Sequence, residues 1–333
     1  MSNEAIAIRP MAADDYEGVA AILRVVLRES VKGEDVQEED AKLPKENAFK
    51  YDNQGRLCGY GRLRLVAANP DGDVVGYGLA WRAPWTAPGE LNHTLAVLPQ
   101  ARGQGCGGAL YAQLEGWASE HKAHRLNYVV REDDPAALSF AGRQGFEIDR
   151  HMHESVLQLA GDSGSAGALE PETAAQAPEW TIVPYAKLPE DSREASVYGV
   201  YRDTQLDIPG FSGDYLPLSE WRIHVLGMAG SAPEHLFVAL VGDIPVGVAH
   251  VLIEPESSEL YCEFTGVLRT YRGRGIATAL KRHCIRHARA CGVRTLRTHN
   301  DSHNAPMLAI NRDRLGFKAM PGEYRMCKLL PRD

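Results

Sequence analysis

Long hydrophobic runs are missing from this 333-residue sequence. No stretch approaches the roughly 20 apolar residues that a membrane-spanning helix needs. The start, Met1-Ser-Asn-Glu-Ala5, has neither the basic residues nor the apolar stretch of a secretory signal. The six cysteines (Cys58, Cys106, Cys262, Cys284, Cys291 and Cys327) form no CxxC pair and no regular spacing. That argues against a zinc ribbon or a disulfide framework, and the expectation is reduced thiols in a cytoplasm. A surplus of positive charge is lacking too. A net charge of −8 with 8% aromatic residues argues against a general nucleic-acid binder.

What is present is an ordinary globular composition, 44% hydrophobic and 24% charged. The length suggests about two domains, each able to bury a core. The stretch 160–178 is rich in Gly, Ser, Ala and Pro and nearly free of large apolar side chains. It reads as a linker. The expected organisation is a domain over 1–160, a linker over 161–178 and a second domain over 179–333.

Both halves show the same order of elements. In the first, strand patterns at 62–67, 74–81 and 90–97 lead to a helix carrying Leu110, Leu114, Trp117 and Ala118 on one face. A strand at 125–130, a helix at 135–144 and a strand at 146–153 follow. In the second, a hairpin at 236–253 and a strand at 260–267 precede a helix at 277–291. A strand at 295–299, a helix at 305–314 and a strand at 324–329 complete it. The repeat is of a whole domain, not of a short solenoid unit.

The most informative stretch is Val267-Leu-Arg-Thr-Tyr-Arg272-Gly-Arg-Gly275-Ile-Ala277. It is nearly matched 170 positions earlier by Val97-Leu-Pro-Gln-Ala-Arg102-Gly-Gln-Gly105-Cys-Gly107. Each copy joins a strand pattern to a helix pattern. Glycines there permit a tight turn and close approach of backbone N–H groups to a ligand. The following helix start adds unsatisfied donors, which favours a phosphate or pyrophosphate. Around the second copy lies a basic island running from Arg269 to Arg297, which suits a small polyanion better than a duplex, while a solvated helix face accounts for several of these arginines equally well.

On these residues the chain resembles a tandem member of the GNAT N-acetyltransferase superfamily. The family loop reads Gln/Arg-x-x-Gly-x-Gly/Ala, matched by Arg102, Gly105 and Gly107 and again by Arg272, Gly275 and Ala277. The family's Asn before the last helix and Gly-Phe after it are matched by Asn304 and Gly316-Phe317. The first half has Asp134 and Gly145-Phe146. The likeness covers most of both halves and is sharpest from Tyr261 to Phe317. The two-domain layout is similar to that of mycothiol-synthase-type proteins, although no motif carries that substrate.

The resemblance implies a mixed α/β (α+β) fold. In each domain a mostly antiparallel sheet is flanked by helices and splayed between its fourth and fifth strands. It also implies acetyl-CoA, or another acyl-CoA, as donor. Leu95, Ala96 and Val97, and equally Thr265, Gly266 and Val267, would pair with the pantetheine amides. The pyrophosphate would lie on Arg102, Gly103, Gln104, Gly105, Cys106, Gly107 and Gly108, or on Arg272, Gly273, Arg274, Gly275, Ile276, Ala277 and Thr278. Asn304 would bond the cofactor arm.

N-acetyl transfer needs a neutral amine, a route for its proton and stabilisation of an oxyanion. By the two-residue period Tyr261, Glu263, Thr265 and Val267 share one strand face. Glu263, nine residues before Arg272, is the candidate base, with Glu259 an alternative; a half-exposed, ion-paired strand carboxylate is an equally good reading. The same count places His93 before Arg102, a candidate base or a structural histidine. The family's tyrosine acid falls at Asn311 and Ala141, and one extra residue separates Asn311 from Gly316. Asn311 is therefore in the candidate catalytic set. The thiolate either leaves unprotonated or takes a proton from Tyr271, Tyr324 or water.

His283, Cys284 and His287 mimic a metal site without a third well-spaced ligand, and a solvated helix face is the plainer reading. The loop at 207–214, with Tyr215 and Trp221, is a candidate wall for an acceptor pocket or an ordinary packing loop. The expected function is acyl-CoA-dependent N-acyl transfer to a small amine, directly within a ternary complex, with the second domain active. The alternative is an acyl-CoA-binding regulatory or scaffolding module with one or both domains silent. No nucleic-acid or membrane partner is expected. Either a monomer with pseudo-dimeric domain pairing or a homodimer is.

Overall fold

The computed structural model describes residues 6–28, 31–159, 179–211, 214–253 and 259–331; the expected linker falls outside them. The chain divides into two compact units. Unit one holds residues 1–149, 212–214 and 324–333, and unit two holds 150–211 and 215–323.

The first half of the chain supplies β1 (Ala7–Pro10), α1 (Tyr16–Ile22), α2 (Gly33–Ala41), β2 (Ala48–Tyr51), β3 (Leu57–Ala68), β4 (Val74–Arg82), β5 (Glu90–Val97), α3 (Cys106–Glu120), β6 (Arg125–Arg131), α4 (Pro135–Arg143) and β7 (Glu147–Gln158). The second half supplies β8 (Thr181–Pro184), α5 (Glu190–Gln205), α6 (Leu218–Trp221), β9 (Leu236–Val241), β10 (Ile244–Ile253), β11 (Glu259–Val267), α7 (Ile276–Ala290), β12 (Thr295–Asp301), α8 (Ala305–Ala309) and β13 (Lys318–Leu329).

In unit one the strands run β1-β3-β4-β5-β6-β13, with β2 beside β3. In unit two they run β7-β12-β11-β10-β9-β8. Pairing is parallel at β5–β6 and β11–β12 and antiparallel at β1–β3, β2–β3, β3–β4, β4–β5, β7–β12, β8–β9, β9–β10 and β10–β11, and each parallel step is bridged by a helix as such a step requires. The terminal strands are exchanged. Met326 and Leu330 belong to the core of unit one, beside Leu91, Leu110, Leu126 and Phe146. Leu157 belongs to the core of unit two, beside Leu260, Leu280, Leu296 and Phe317. Local pattern marks both segments as strands, but an alternating pattern says nothing about which sheet accepts it.

Helices α3 and α7 sit on their sheets through residues four apart. Cys106, Leu110, Leu114 and Ala118 are buried on α3, and Ile276, Leu280, Cys284 and Ala288 on α7. Each sheet carries a second layer on its other face. In unit one this packs Val19 and Ile22 of α1 on Val66, Tyr77 and Ala96. In unit two it packs Val197, Val200 and Tyr201 of α5 with Trp221 on Val238, Val248 and Phe264.

Candidate active site

Each glycine loop is built the same way. After the strand comes one 3-10 turn, Pro99–Ala101 or Arg269–Tyr271, then an extended arginine. Gly103 (φ 78°) and Gly105 (φ 84°), like Gly273 (φ 76°) and Gly275 (φ 80°), adopt left-handed backbone that favours glycine. Gly105 and Gly275 are the N-caps of α3 and α7, and neither helix has a side-chain cap. Its first N–H groups therefore need another acceptor. A Cβ placed on Gly103, Gly105, Gly108 or Gly273 would meet nothing within 4 Å, so the loop is an open cradle. The arginines brace it: Arg102 Nε donates to Val97 O at 3.1 Å and Arg272 Nε to Val267 O at 2.8 Å. Arg102 also reaches Asp134 (3.3 Å), whereas Arg269 and Arg272 share Asp207. The basic island is thus partly neutralised within the protein.

The expected splay is present in both units. Parallel pairing of β5 with β6 ends at His93 opposite Tyr128, although both strands continue. Pairing of β11 with β12 ends at Tyr261 opposite Arg297. Beyond those points the facing edge of the strand has no ladder partner, and an extended amide-bearing ligand is what such an edge accepts. The two openings differ at the base. In unit one Tyr128 Oη donates to Leu95 O at 3.0 Å, which occupies a carbonyl expected to face pantetheine. In unit two the corresponding side chain is Thr298, whose Oγ1 donates to Cys262 O at 3.0 Å. Thr265 Oγ1 is buried without a hydrogen-bond partner. Gly266 lets α5 approach, since a Cβ there would lie 2.3 Å from Thr204 Oγ1.

Counting back from the arginines pairs His93 with Glu263, and the structure overturns that equivalence. On β11 the ladder to β10 jumps from Phe264 opposite His250 to Cys262 opposite Val251. Glu263 is the extra residue of a β-bulge. On β5 the ladder to β4 is unbroken, with Ala80 opposite His93. The counterpart of His93 is therefore Cys262, and both side chains enter the core under the loop helix. The bulge also breaks the expected shared face. Cys262 and Val267 pack in the same core, so Tyr261 and Val267 point to opposite sides of the sheet.

His93 is buried, stacked on Tyr128 at 4.8 Å and tilted against Phe146 at 5.1 Å. Neither ring nitrogen makes a well-formed hydrogen bond. Burial lowers its pKa to about 3; a weak contact with the Asn127 backbone opposes the fall and Lys328 nearby adds to it. As a base sealed from solvent it does not fit the expected catalytic role. Glu263 is the opposite case. It is open to solvent, yet protein surrounds it closely enough for desolvation to push its pKa up. A group both reachable and poorly hydrated is what a cleft wall presents.

Around Glu263 lies a polar chain that sequence reasoning missed except for Tyr261 and Glu259. Tyr261 Oη lies 3.1 Å from His299 Nδ1, and His299 Nε2 lies 3.9 Å from Glu154 Oε2. Buried Glu154 accepts from Arg297 Nε at 2.7 Å, and Arg297 Nη1 reaches Glu259 at 3.2 Å. Glu154 sits on β7, so its strand exchange hid it from any reading confined to the second half.

Asn304 caps α8, its Oδ1 accepting from Met307 N at 3.3 Å, as Asp134 caps α4. Asn311 is fully buried and donates to Asn300 Oδ1 at 2.7 Å; it cannot meet a substrate there. The extra residue before Gly316 is absorbed as a π turn, Ile310–Arg314. Tyr324 packs on the core of unit one, which removes it as a proton donor for unit two. Trp221 is fully buried against Tyr198 and Tyr201, a core residue and not a pocket wall. His283 and His287 pack on Phe237 at 4.6 and 5.1 Å. Among the described residues no cluster of three potential ligands could hold a metal, and no helix could cross a membrane.

Twin strand–loop–helix cradles beside splayed parallel strands define a class of acyl-CoA-binding transferase folds. Two regions of the chain, residues 21–146 and 199–317, match the acetyltransferase (GNAT) family model. The chain belongs to the GNAT family, with two copies of its domain, and is an acetyltransferase. The family's general activity is acyl-CoA-dependent N-acetyl transfer.

No curated protein sequence matches the chain. Among solved structures, it is similar to a GCN5-related N-acetyltransferase from Sphaerobacter thermophilus. That match has 19% identity and a TM-score of 0.68, covering 97% of this chain and 95% of the other. It is also similar to a tandem GNAT protein from the clavulanic acid biosynthesis pathway (19%, TM-score 0.70, 98% and 100% covered). A putative acetyltransferase from Pyrococcus horikoshii matches at 12% with a TM-score of 0.56, covering 100% and 92%. At these identities the likeness concerns the fold.

Proposed function

We propose that unit two transfers an acetyl group from acetyl-CoA directly to a small primary amine, and that unit one is a catalytically silent copy that does not hold acetyl-CoA tightly. The observation that carries this reading is the β-bulge at Glu263, close to where β11 and β12 part, with no counterpart in the β4–β5 ladder of unit one. Tyr128 filling the base of the unit-one splay points the same way.

The residues fit the donor. The N–H groups of Gly273 to Thr278 take the diphosphate, and the edge of Thr265–Val267 takes the pantetheine amides. Asn304, with Oδ1 engaged as a cap, offers its amide N–H to a pantetheine carbonyl. Acetyl-CoA, when bound, supplies the thioester carbon and a thiolate leaving group. Glu263 removes the proton of the incoming ammonium, directly or through water. Its raised pKa brings it closer to that task than an ordinary carboxylate. No side chain is placed as a nucleophile, so transfer proceeds in a ternary complex.

Calorimetric titration with acetyl-CoA and a thiol-release screen over primary amines, amino acids and amino sugars test the proposal. One strong site and amine-dependent thiol release are expected. Two sites without release for any amine would favour the binding-module reading. No retention of acetyl-CoA at millimolar concentration would remove both.

A further inference from the structure

We infer that Tyr261 is a second proton-handling residue of unit two, held in place by His299 and Glu154 as positioning residues. The inference deepens the proposed function and rests on it for the identity of the reaction. Four observations carry it. Tyr261 is the last residue paired with β12, so its hydroxyl stands where the strands part. His299 Nδ1 is 3.1 Å from that hydroxyl. His299 Nε2 lies 3.9 Å from Oε2 of the buried Glu154 carboxylate, a charge contact longer than a hydrogen bond, and Arg297 holds Oε1 of that carboxylate with two donors. Glu263 is close enough for its charge to act on Tyr261.

A neutral imidazole has one N–H and one lone pair. With the N–H turned to the Glu154 carboxylate, Nδ1 accepts from the tyrosine hydroxyl. That arrangement orients Tyr261 and lets its proton move towards an imidazole whose cationic form the Glu154 charge stabilises from 3.9 Å, a looser relation than the hydrogen-bonded carboxylate of a hydroxyl–imidazole–carboxylate triad. The proton balance of amine acetylation then closes. The ammonium gives its first proton to Glu263, and the neutral amine nitrogen bonds to the thioester carbon. The second nitrogen proton passes to Tyr261 Oη as the tyrosine proton moves to His299. The carbon–sulfur bond breaks, and the same path returns one proton to the departing thiolate. The products are the amide, the free thiol and one proton released from Glu263. The charged groups facing the relay are Glu154 from β7, Glu259 and Glu263 from β11, Arg297 from β12 and Glu323 from β13. Further along the same strands Arg150 pairs with Asp301, and among these described groups the carboxylates outnumber the arginines, which suits a cationic acceptor.

The test uses the full chain. With an amine found to release thiol, Tyr261→Phe and His299→Asn are expected to lower kcat about 10²- to 10³-fold. Acetyl-CoA affinity should stay within about twofold. Glu154→Gln is expected to shift the acid limb of the kcat profile, a change that lost packing alone would not give. Unchanged kcat and pH profile in Tyr261→Phe would overturn the assignment. Should no amine release thiol, ¹⁵N spectra of histidine-labelled protein decide. Neutral His299 carrying its proton on Nε2 supports the relay, and a proton on Nδ1 overturns it. Failure of acetyl-CoA binding would strike the proposed function, while the tautomer measurement would still report on the relay.

Discussion

Glu263 pays for its position in hydration. Its pKa is raised by desolvation, so the folded chain holds its proton more tightly than the unfolded chain does. The sign follows: its ionised form weighs against folding above the raised pKa, and the cost vanishes on protonation. Glu263→Gln should therefore raise the melting temperature at pH 8 and leave it nearly unchanged at pH 4. With the amine found in the screen, it should lower kcat/KM by about 10²-fold or more and abolish the acid limb. A variant with an unaltered pH–rate profile would remove Glu263 as the base.

His93 carries the reverse sign. Its pKa falls from 6.5 to about 3 in the folded chain, so its contribution is fully present above pH 6.5. It is lost as pH falls towards 3, at about 2 kcal/mol by pH 5. His93→Leu should resist acid unfolding better than the parent and leave transfer unaffected. Circular dichroism against pH at fixed temperature would show it; equal acid midpoints would contradict the burial argument.

At the scale of elements, the two glycine loops and the helices behind them can be separated experimentally. Gly105→Ala and Gly275→Ala each force a side chain into left-handed backbone, at about 1–2 kcal/mol of stability. Both should fold with lowered melting temperature. On the proposed function, only Gly275→Ala should weaken acetyl-CoA binding by calorimetry. Equal loss in both would mean that the two cradles contribute alike. Asn304→Asp separates capping from ligand binding in the same way. The carboxylate still accepts from Met307 N, as Asp134 does from Ala137 N, so the melting temperature should hold within about 1 °C. Loss of the amide donor should raise the Kd for acetyl-CoA. The loops were legible from local residues because positive φ and a bare helix start have a strong residue preference. The π turn Ile310–Arg314 was visible only as one residue too many between Asn311 and Gly316. Such a count does not say where the extra residue goes.

For the whole molecule, the exchanged strands set which pieces can stand alone. A chain of residues 179–333 lacks Arg150–Gln158, hence Leu157 from its core and Glu154 beside Arg297 and His299. A chain of residues 1–160 lacks Met326 and Leu330 from its own. Each half expressed by itself should be poorly soluble or unfolded, and co-expressed halves should purify together and release thiol. A stable, active 179–333 fragment would contradict this and the placement of Glu154.

The sequence alone determined what depends on near neighbours. The alternation along β5, the apolar run of β9, the four-residue spacing on α3 and α7, and the glycines at φ-positive turns all act within a few positions, so their residues announce them. Tertiary structure decided what depends on pairing. Whether Glu263 is in register or bulged is set by the ladder to β10, and which sheet receives β7 or β13 is set by cores tens to hundreds of residues away. Hydrogen-bond ladders and burial are properties of two chain segments at once, and a single segment read by itself does not contain them.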